Sequence, residues 1–317
     1  MPRRSRFAAL VLAALALGAG CRSGSRGGPG TPAEVVATFA LGAAAQPTPL
    51  ATLPGGLLAI GERRTGRIVA VGIPGVPAPP GTGEPEQIAA VDIDPAAPGQ
   101  RGLLGLVSTA GALFASWTRT GDGRLVVGRV LPAPAQLVWE GPVSSDLANG
   151  GSLAAAPDGR LLIGIGDLRQ PERIDDPDQL NGKVLSLDPE GPADQRPLVL
   201  SGGWNNPFAL AVDGATVWVA DNAPGQQPER IGRAEPGAAP VELPGRRAPS
   251  ALVRLGPGRL GLCGFLGGDL VAVDVSSTPA VGPVLARGAC RTGAVALGGG
   301  LVAVSDGVAV RILRLRP

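Results

Sequence analysis

The chain has 317 residues, 44% of them hydrophobic, enough for one large core, and a formal charge of +2. It contains no histidine and no tyrosine, which excludes a Ser-His-Asp triad, a histidine-ligated metal and a histidine general base. Lys183 is the one lysine among 28 basic residues, so nearly all the positive charge is arginine.

The first segment reads MPRRSRFAALVLAALALGAGC. Arg3, Arg4 and Arg6 form a positive start, and Phe7 to Leu17 an apolar run too short to span a bilayer. Gly18, Ala19 and Gly20 then precede Cys21. The pattern resembles a bacterial lipoprotein signal over 1–20, with Cys21 as the lipidated first residue; the alternative is an ordinary secretory signal with an incidental cysteine. Without residues 1–20 the chain carries 25 basic and 26 acidic residues. That balance gives no reason to expect nucleic acid or a polybasic membrane contact. Residues 21–36, rich in Gly, Ser and Pro, read as a flexible tether. The expected location is the bacterial cell envelope, on the periplasmic side, with a lipid anchor as the membrane contact. In an oxidising compartment the two remaining cysteines, Cys263 and Cys290, are expected to pair; the alternative is two buried thiols in neighbouring strands.

From residue 37 to 317 glycine and proline punctuate short apolar runs, the mark of an all-β chain with many tight turns. A hairpin unit recurs. It is clearest in SLAAAPDGRLLIGIGD from Ser152, where a Pro157-Asp158-Gly159 turn separates two apolar runs. Taking Leu50, Leu103, Leu153, Leu210, Leu252 and Val295 as equivalent, the spacings are 53, 50, 57, 42 and 43 residues. Periods of roughly 40–50 residues with several strands each indicate a β-propeller. Six units predict an all-β, six-bladed β-propeller over 37–317; a pair of β-sandwiches fits the even turn spacing less well.

Propeller ligands sit over the central channel, on the loops between strands. Four segments are candidates: GQRGLLGL from Gly99; the elbow Ala148-Asn149-Gly150-Gly151 with NGKVLSLD from Asn181; GGWNNPFALAVD from Gly202 with VADNAP from Val219; and RAPSALV from Arg247 with Cys290-Arg291-Thr292-Gly293. The acidic run Glu172, Asp175, Asp176 and Asp178 has oxygen donors suited to calcium, but Arg173 within it and the lack of a spacing motif favour a solvated loop.

In this order the segments resemble the glucose/sorbosone dehydrogenase family, from about Gln46 to Pro317. The elbow resembles that family's His-Asn-Gly-Gly segment, NGKVLSLD its Gly-Lys-Val-Leu-Arg-Leu strand, and GGWNNPFALAVD its Gly-His-Arg-Asn-Pro segment. The resemblance implies a six-bladed propeller that binds pyrroloquinoline quinone (PQQ) and calcium and oxidises aldose sugars. It implies a histidine base where this chain has Ala148, and an arginine on the cofactor where it has Asn205. A lysine falls at Leu266, and a second C-terminal arginine at Gly293. Gln100, Asn205 and Arg291 are left at cofactor-binding positions, and Ala223-Pro224 with Glu229 at the calcium position. Without histidine or tyrosine, a substitute base has to be a carboxylate, and Asp146, Asp167 and Asp221 lie nearest the candidate loops. Two readings follow: a non-catalytic envelope propeller that scaffolds or binds a sugar or a protein partner, or an active quinoprotein with a substitute base.

Overall fold

The computed structural model describes residues 33–316. The expected signal over 1–20, Cys21 and most of the expected tether lie outside the described residues. The described chain is built of strands, with one short 3-10 turn at Pro171–Arg173. Strand β1 (Glu34–Ala40) begins inside the expected tether, so the propeller includes Glu34 to Val36 as well as the chain from residue 37.

After β1 the strands run in fours. Blade 1 is β2 (Pro47–Leu53), β3 (Leu57–Glu62), β4 (Arg67–Gly72) and β5 (Glu86–Ala90). Blade 2 is β6 (Leu103–Thr109), β7 (Ala112–Thr118), β8 (Arg124–Leu131) and β9 (Gln136–Val143). Blade 3 is β10 (Gly150–Ala155), β11 (Leu161–Ile165), β12 (Lys183–Leu187) and β13 (Leu198–Ser201). Blade 4 is β14 (Ala209–Asp213), β15 (Thr216–Asp221), β16 (Arg230–Arg233) and β17 (Val241–Glu242). Blade 5 is β18 (Pro249–Gly256), β19 (Arg259–Gly264), β20 (Leu270–Asp274) and β21 (Ala280–Ala286). Blade 6 takes β22 (Gly293–Gly298), β23 (Leu301–Ser305) and β24 (Ala309–Arg314) from the C-terminus and β1 from the other end, in the order β1-β24-β23-β22. The fold is a six-bladed β-propeller, and each of the six equivalent Leu/Val positions falls on the innermost strand of its blade or, in blade 2, at that strand's first residue.

The hairpins form for local reasons. Between β10 and β11 the Gly159 N–H donates to Ala156 O (3.0 Å), and Asp158 Oδ1 accepts the Arg160 N–H (3.1 Å). Gly159 sits at φ +86°, which a residue with a Cβ rarely adopts.

Six apolar clusters hold the ring, one at each boundary between blades. One of the two largest sits between blades 2 and 3, where Leu104, Phe114 and Trp139 meet Leu161, Ile163 and Leu185. Because side chains alternate along a strand, β11 sends Leu161, Ile163 and Ile165 toward blade 2 and Leu162 toward blade 4. Both faces of an inner strand are therefore apolar, which is why a simple alternation of apolar and polar residues is blurred in the sequence.

Ring closure is non-covalent within blade 6 and covalently reinforced between blades 5 and 6. Strand β1 pairs antiparallel with β24 from Glu34↔Arg314 to Ala40↔Ala309, with a register slip between Val35 and Ala37. Phe39 packs with Ile312 and Ile60 in the blade 6–blade 1 cluster. Cys263 of β19 and Cys290, just before β22, form a disulfide with Cα atoms 5.2 Å apart, linking blades 5 and 6.

A chain beginning at Leu41 lacks β1 and leaves the β24 edge unpaired. It is expected to lose the single cooperative unfolding transition of the full chain; a midpoint and slope equal to those of the full chain would refute this closure. The disulfide bridges a sequence separation of 27. A loop of that length stabilises by about 3–4 kcal/mol in the chain-entropy model. Reduction should therefore lower the unfolding midpoint by roughly 10 °C, and coincident midpoints for oxidised and reduced protein would contradict it.

Candidate functional site

All six innermost strands enter the channel from the same end. Thr48, Leu104, Ser152, Phe208, Ser250 and Thr292 ring that mouth. The cavity between them is about 60 Å³, lined by hydroxyls, backbone and aliphatic side chains, with no arginine or lysine. Sites for drug-sized molecules run to about 300–1,000 Å³.

The elbow is built by its neighbours. Ala148 is held at φ +53°, a left-handed conformation that costs a residue with a Cβ roughly 1–2 kcal/mol. Two contacts hold it there: its N–H donates to Gln100 Oε1 (2.8 Å), and its carbonyl accepts the Leu168 N–H (3.1 Å). A Cβ at Gly166 would lie 1.8 Å from the Ala148 carbonyl oxygen, so only glycine permits this approach. The backbone thus presents position 148 at the mouth, half-buried, and the side chain presented is a methyl group. Gln100 is brought to the elbow, and its acceptor oxygen is already taken there.

The third segment joins the elbow through Asn206, whose Oδ1 accepts the Gly150 N–H (2.9 Å). Asn205 is buried and turned onto Asp221. Its N–H donates to Asp221 Oδ1 (3.0 Å) and its Nδ2 to Oδ2 (3.2 Å), while Asn206 N–H adds a bond to Oδ1 (2.7 Å). Arg230 closes the network with an ion pair to Asp221 Oδ2 at 2.5 Å and stacks over Trp204, 5.4 Å from the ring centroid. Asp221 is fully buried and each of its oxygens is occupied by donors from this chain. Such an arrangement is structural, because breaking one partner of a buried pair costs about 3–5 kcal/mol.

The other two carboxylates near the elbow differ. Asp146 is at the surface, where Arg169 at 3.0 Å holds its carboxyl below the usual carboxylate range. Asp167 is buried, and that burial pushes its carboxyl above the usual range against the single stabilising N–H of Arg169 (2.7 Å). Asp221 and Glu172 nearby add to the rise. Lys183, whose Nζ donates to the Ile174 carbonyl, is lowered by burial.

The fourth segment reaches the mouth through Ser250, Thr292 and Gly293, while its arginine and Leu266 lie at the surface. Arg291 is exposed, with its side chain against Gly268 and its N–H on Ser305 O (2.7 Å). Leu266 lies 56% exposed at the tip of the β19–β20 turn. At Gly293 a Cβ would fall 1.9 Å from the Thr48 carbonyl oxygen, so no larger residue fits without moving blade 1. Glu229 is buried, with its carboxylate accepting the N–H groups of Arg247 (2.7 Å) and Ala248 (2.9 Å).

One cation at this end of the ring was not singled out from sequence. Arg63 donates to Gly99 O (2.9 Å) and to Gln46 Oε1 (3.1 Å), fastening blade 1 to the loop that carries Gln100. Burial first and Arg64 second bring its guanidinium down to about 10. No short motif marks it, because its partners are a side-chain amide and a main-chain carbonyl.

A family model described as glucose/sorbosone dehydrogenase matches residues 44–238, more than half of the chain. The PQQ-bound aldose sugar dehydrogenase of Streptomyces coelicolor is similar over 90% of this chain and 98% of its own, at 21% identity and a TM-score of 0.72. The apo form of the soluble aldose sugar dehydrogenase of Escherichia coli matches over 89% and 99%, at 20% and 0.70. A putative oxidoreductase (glucose dehydrogenase) of Thermus thermophilus matches over 88% and 99%, at 23% and 0.67. At these identities the structural likeness carries the fold alone. No curated protein matches the chain in sequence.

The raised carboxyl of Asp167 has a signed consequence. A carboxylate whose folded value exceeds its unfolded value favours folding in its protonated form, and that contribution is lost as pH rises through the folded value. Asp167→Asn keeps an acceptor for the Arg169 N–H and removes the buried charge. The variant should be more stable than the unmodified protein at pH 7, with the gap closing below about pH 4. Urea midpoints at the two pH values measure this, and a variant less stable at pH 7 would refute it.

Proposed function

Given that the chain belongs to the glucose/sorbosone dehydrogenase family, we propose that it keeps the family's propeller as a binding or scaffolding module and does not carry out sugar oxidation. The observation that carries this reading is that the position the family resemblance assigns to the base, and three of those it assigns to cations on PQQ, are filled in another way. Ala148 offers no proton acceptor. Asn205 is spent on Asp221. Leu266 is apolar, and Gly293 has no room for a side chain beside Thr48 O. Gln100 and Arg291 are what is left, and Gln100 already accepts the Ala148 N–H.

The physical cost is large. PQQ is a tricarboxylate, and a buried carboxylate without a cation is expensive. Each lost buried charge partner costs about 2–5 kcal/mol, which is roughly 30-fold to several thousand-fold in affinity. A missing general base removes a further 10²–10⁴-fold or so in rate. The residues present therefore do not fit the cofactor, and no catalytic step is assigned to them.

The second reading, an active quinoprotein with a substitute base, rests on Asp167, whose burial raises its carboxyl beside the elbow. Against it, Asp167 is only 4% exposed, so it offers little surface to a sugar.

The envelope setting forms part of the same proposal. It is supported by the arginine start, the short apolar run and Cys21 in the first 21 residues. Among the described residues no helix is long and apolar enough to cross a membrane. Lipid attachment at Cys21 is the expected membrane contact, and the ligand or partner is taken to be a sugar or another envelope protein.

The deciding experiment is a titration of the purified protein with PQQ in the presence of calcium, followed by an aldose-dependent dye-reduction assay. No saturable binding below about 100 µM and no turnover are expected, given the lost charge partners. Ala148→His alone should not change either result. Micromolar binding or glucose turnover by the unmodified protein would overturn the reading and give the quinoprotein first place.

A further inference from the structure

The loop between β15 and β16 aims main-chain carbonyls at a single cation. Gly225 is at φ +57°, and the Gln227 N–H donates back to Pro224 O (3.1 Å), so the turn folds over on itself. The carbonyl oxygens of Ala223, Gly225 and Gln227 then converge. Beside them lies the carboxylate of Glu229, whose side chain is 0% exposed.

Converging carbonyl dipoles with a buried carboxylate form a site of strongly negative potential, and carbonyl and carboxylate oxygens are the donors that a hard divalent cation takes. Here the positive charge comes from the chain itself. Arg246, in the connection from β17 to β18, reaches into the loop. Its Nη2 donates to Ala223 O (3.0 Å) and lies 3.7 Å from Glu229 Oε1. Its Nη1 donates to Gly225 O and, at 3.4 Å, to Gln227 O. One guanidinium thus answers three carbonyls and one carboxylate, which suits a planar fork of five donors. The Arg247 and Ala248 N–H groups bind the two Glu229 oxygens directly after it, so the same stretch of chain neutralises and orients that carboxylate.

We propose that Arg246 is a built-in cation that does the work of a divalent metal in the 223–229 loop, so that this end of the propeller is held in place without calcium. The family resemblance puts the calcium donors at Ala223-Pro224 and Glu229. The guanidinium already uses the Ala223 carbonyl and pairs with Glu229, so a metal and Arg246 exclude one another. The inference concerns this loop only and stands whether or not PQQ binds at the mouth.

Thermal unfolding without PQQ tests it. For the unmodified protein, millimolar calcium and excess chelator should leave the midpoint unchanged, and calorimetry with calcium chloride should show no binding. Arg246→Ala empties the loop of its cation and should lower the midpoint by about 3–6 °C. Either millimolar calcium or methylguanidinium should recover part of that loss in the variant and have no effect on the unmodified protein. Arg246→Lys keeps one charge on fewer donors and should fall between the two. Calcium that stabilises the unmodified protein would overturn the proposal. So would an Arg246→Ala midpoint equal to the unmodified one. A loss that neither cation recovers would show Arg246 to act by packing its stem, and would overturn it too. Where Arg246→Ala does not fold, Arg246→Lys and the calcium and chelator arms on the unmodified protein decide the question alone.

Discussion

No blade of this ring can stand alone, because the middle strands of every blade are apolar on both faces. Leu161 and Leu162 are adjacent in sequence, are both essentially inaccessible to solvent, and belong to cores on opposite sides of their blade. Covering both faces of six blades requires a closed ring. The pairing of β1 with β24 meets that requirement by putting both ends of the described chain into one sheet. The Cys263–Cys290 bridge ties the fifth blade to the sixth next door, so the blade that is assembled from two ends is also the one held covalently.

A closed six-blade ring brings the innermost strands close together, and at this mouth backbone nearly touches backbone. The approach of Gly293 to Thr48 O is one case and that of Gly105 to Gly151 O another. This packing leaves the loops as the place where chemistry could be displayed. The elbow at Ala148 displays a half-buried methyl group. Its left-handed backbone is fixed by Gln100 and Leu168, at an energetic cost that a methyl group does nothing to justify. Strain of this kind persists only where the surrounding structure over-determines it, and here Gln100, Leu168 and the close approach of Gly166 do so.

The repeat was legible because its causes are local. Gly-bearing turns and apolar runs recur at the period that a blade imposes, so one residue from each unit could be placed on an innermost strand without any knowledge of contacts. The elbow was legible for the same reason, as a compact polar turn before a hairpin. What could not be read depends on partners distant in the chain. The stretch Glu34 to Val36 looks like the end of a tether until β24, almost the whole chain away, pairs with the strand it opens. Asp221 and Arg230 are nine residues apart, and Glu229 and Arg246 seventeen, with no motif to announce either pair. The role of Asn205 also lay beyond the sequence, since whether it faces a ligand or Asp221 depends on the blade corner around it.

These pairs share a logic. Asp221 and Glu229 are buried carboxylates on blade 4 and the connection that leads from its second strand, and each accepts two main-chain N–H groups and forms an ion pair with one arginine. Removing the arginine from such a carboxylate would leave an uncompensated buried charge costing several kcal/mol. Asp167 shows the contrast within the same site. It accepts one N–H, gains no arginine at its carboxylate, and its carboxyl is pushed upward. The arginines of this end of the ring are thus committed inward, Arg230 to Asp221 and Arg246 to Glu229 and its loop, while Arg63 is spent on neutral partners. Three arginines of this end are thus tied to partners within the chain, whereas Arg291 is exposed.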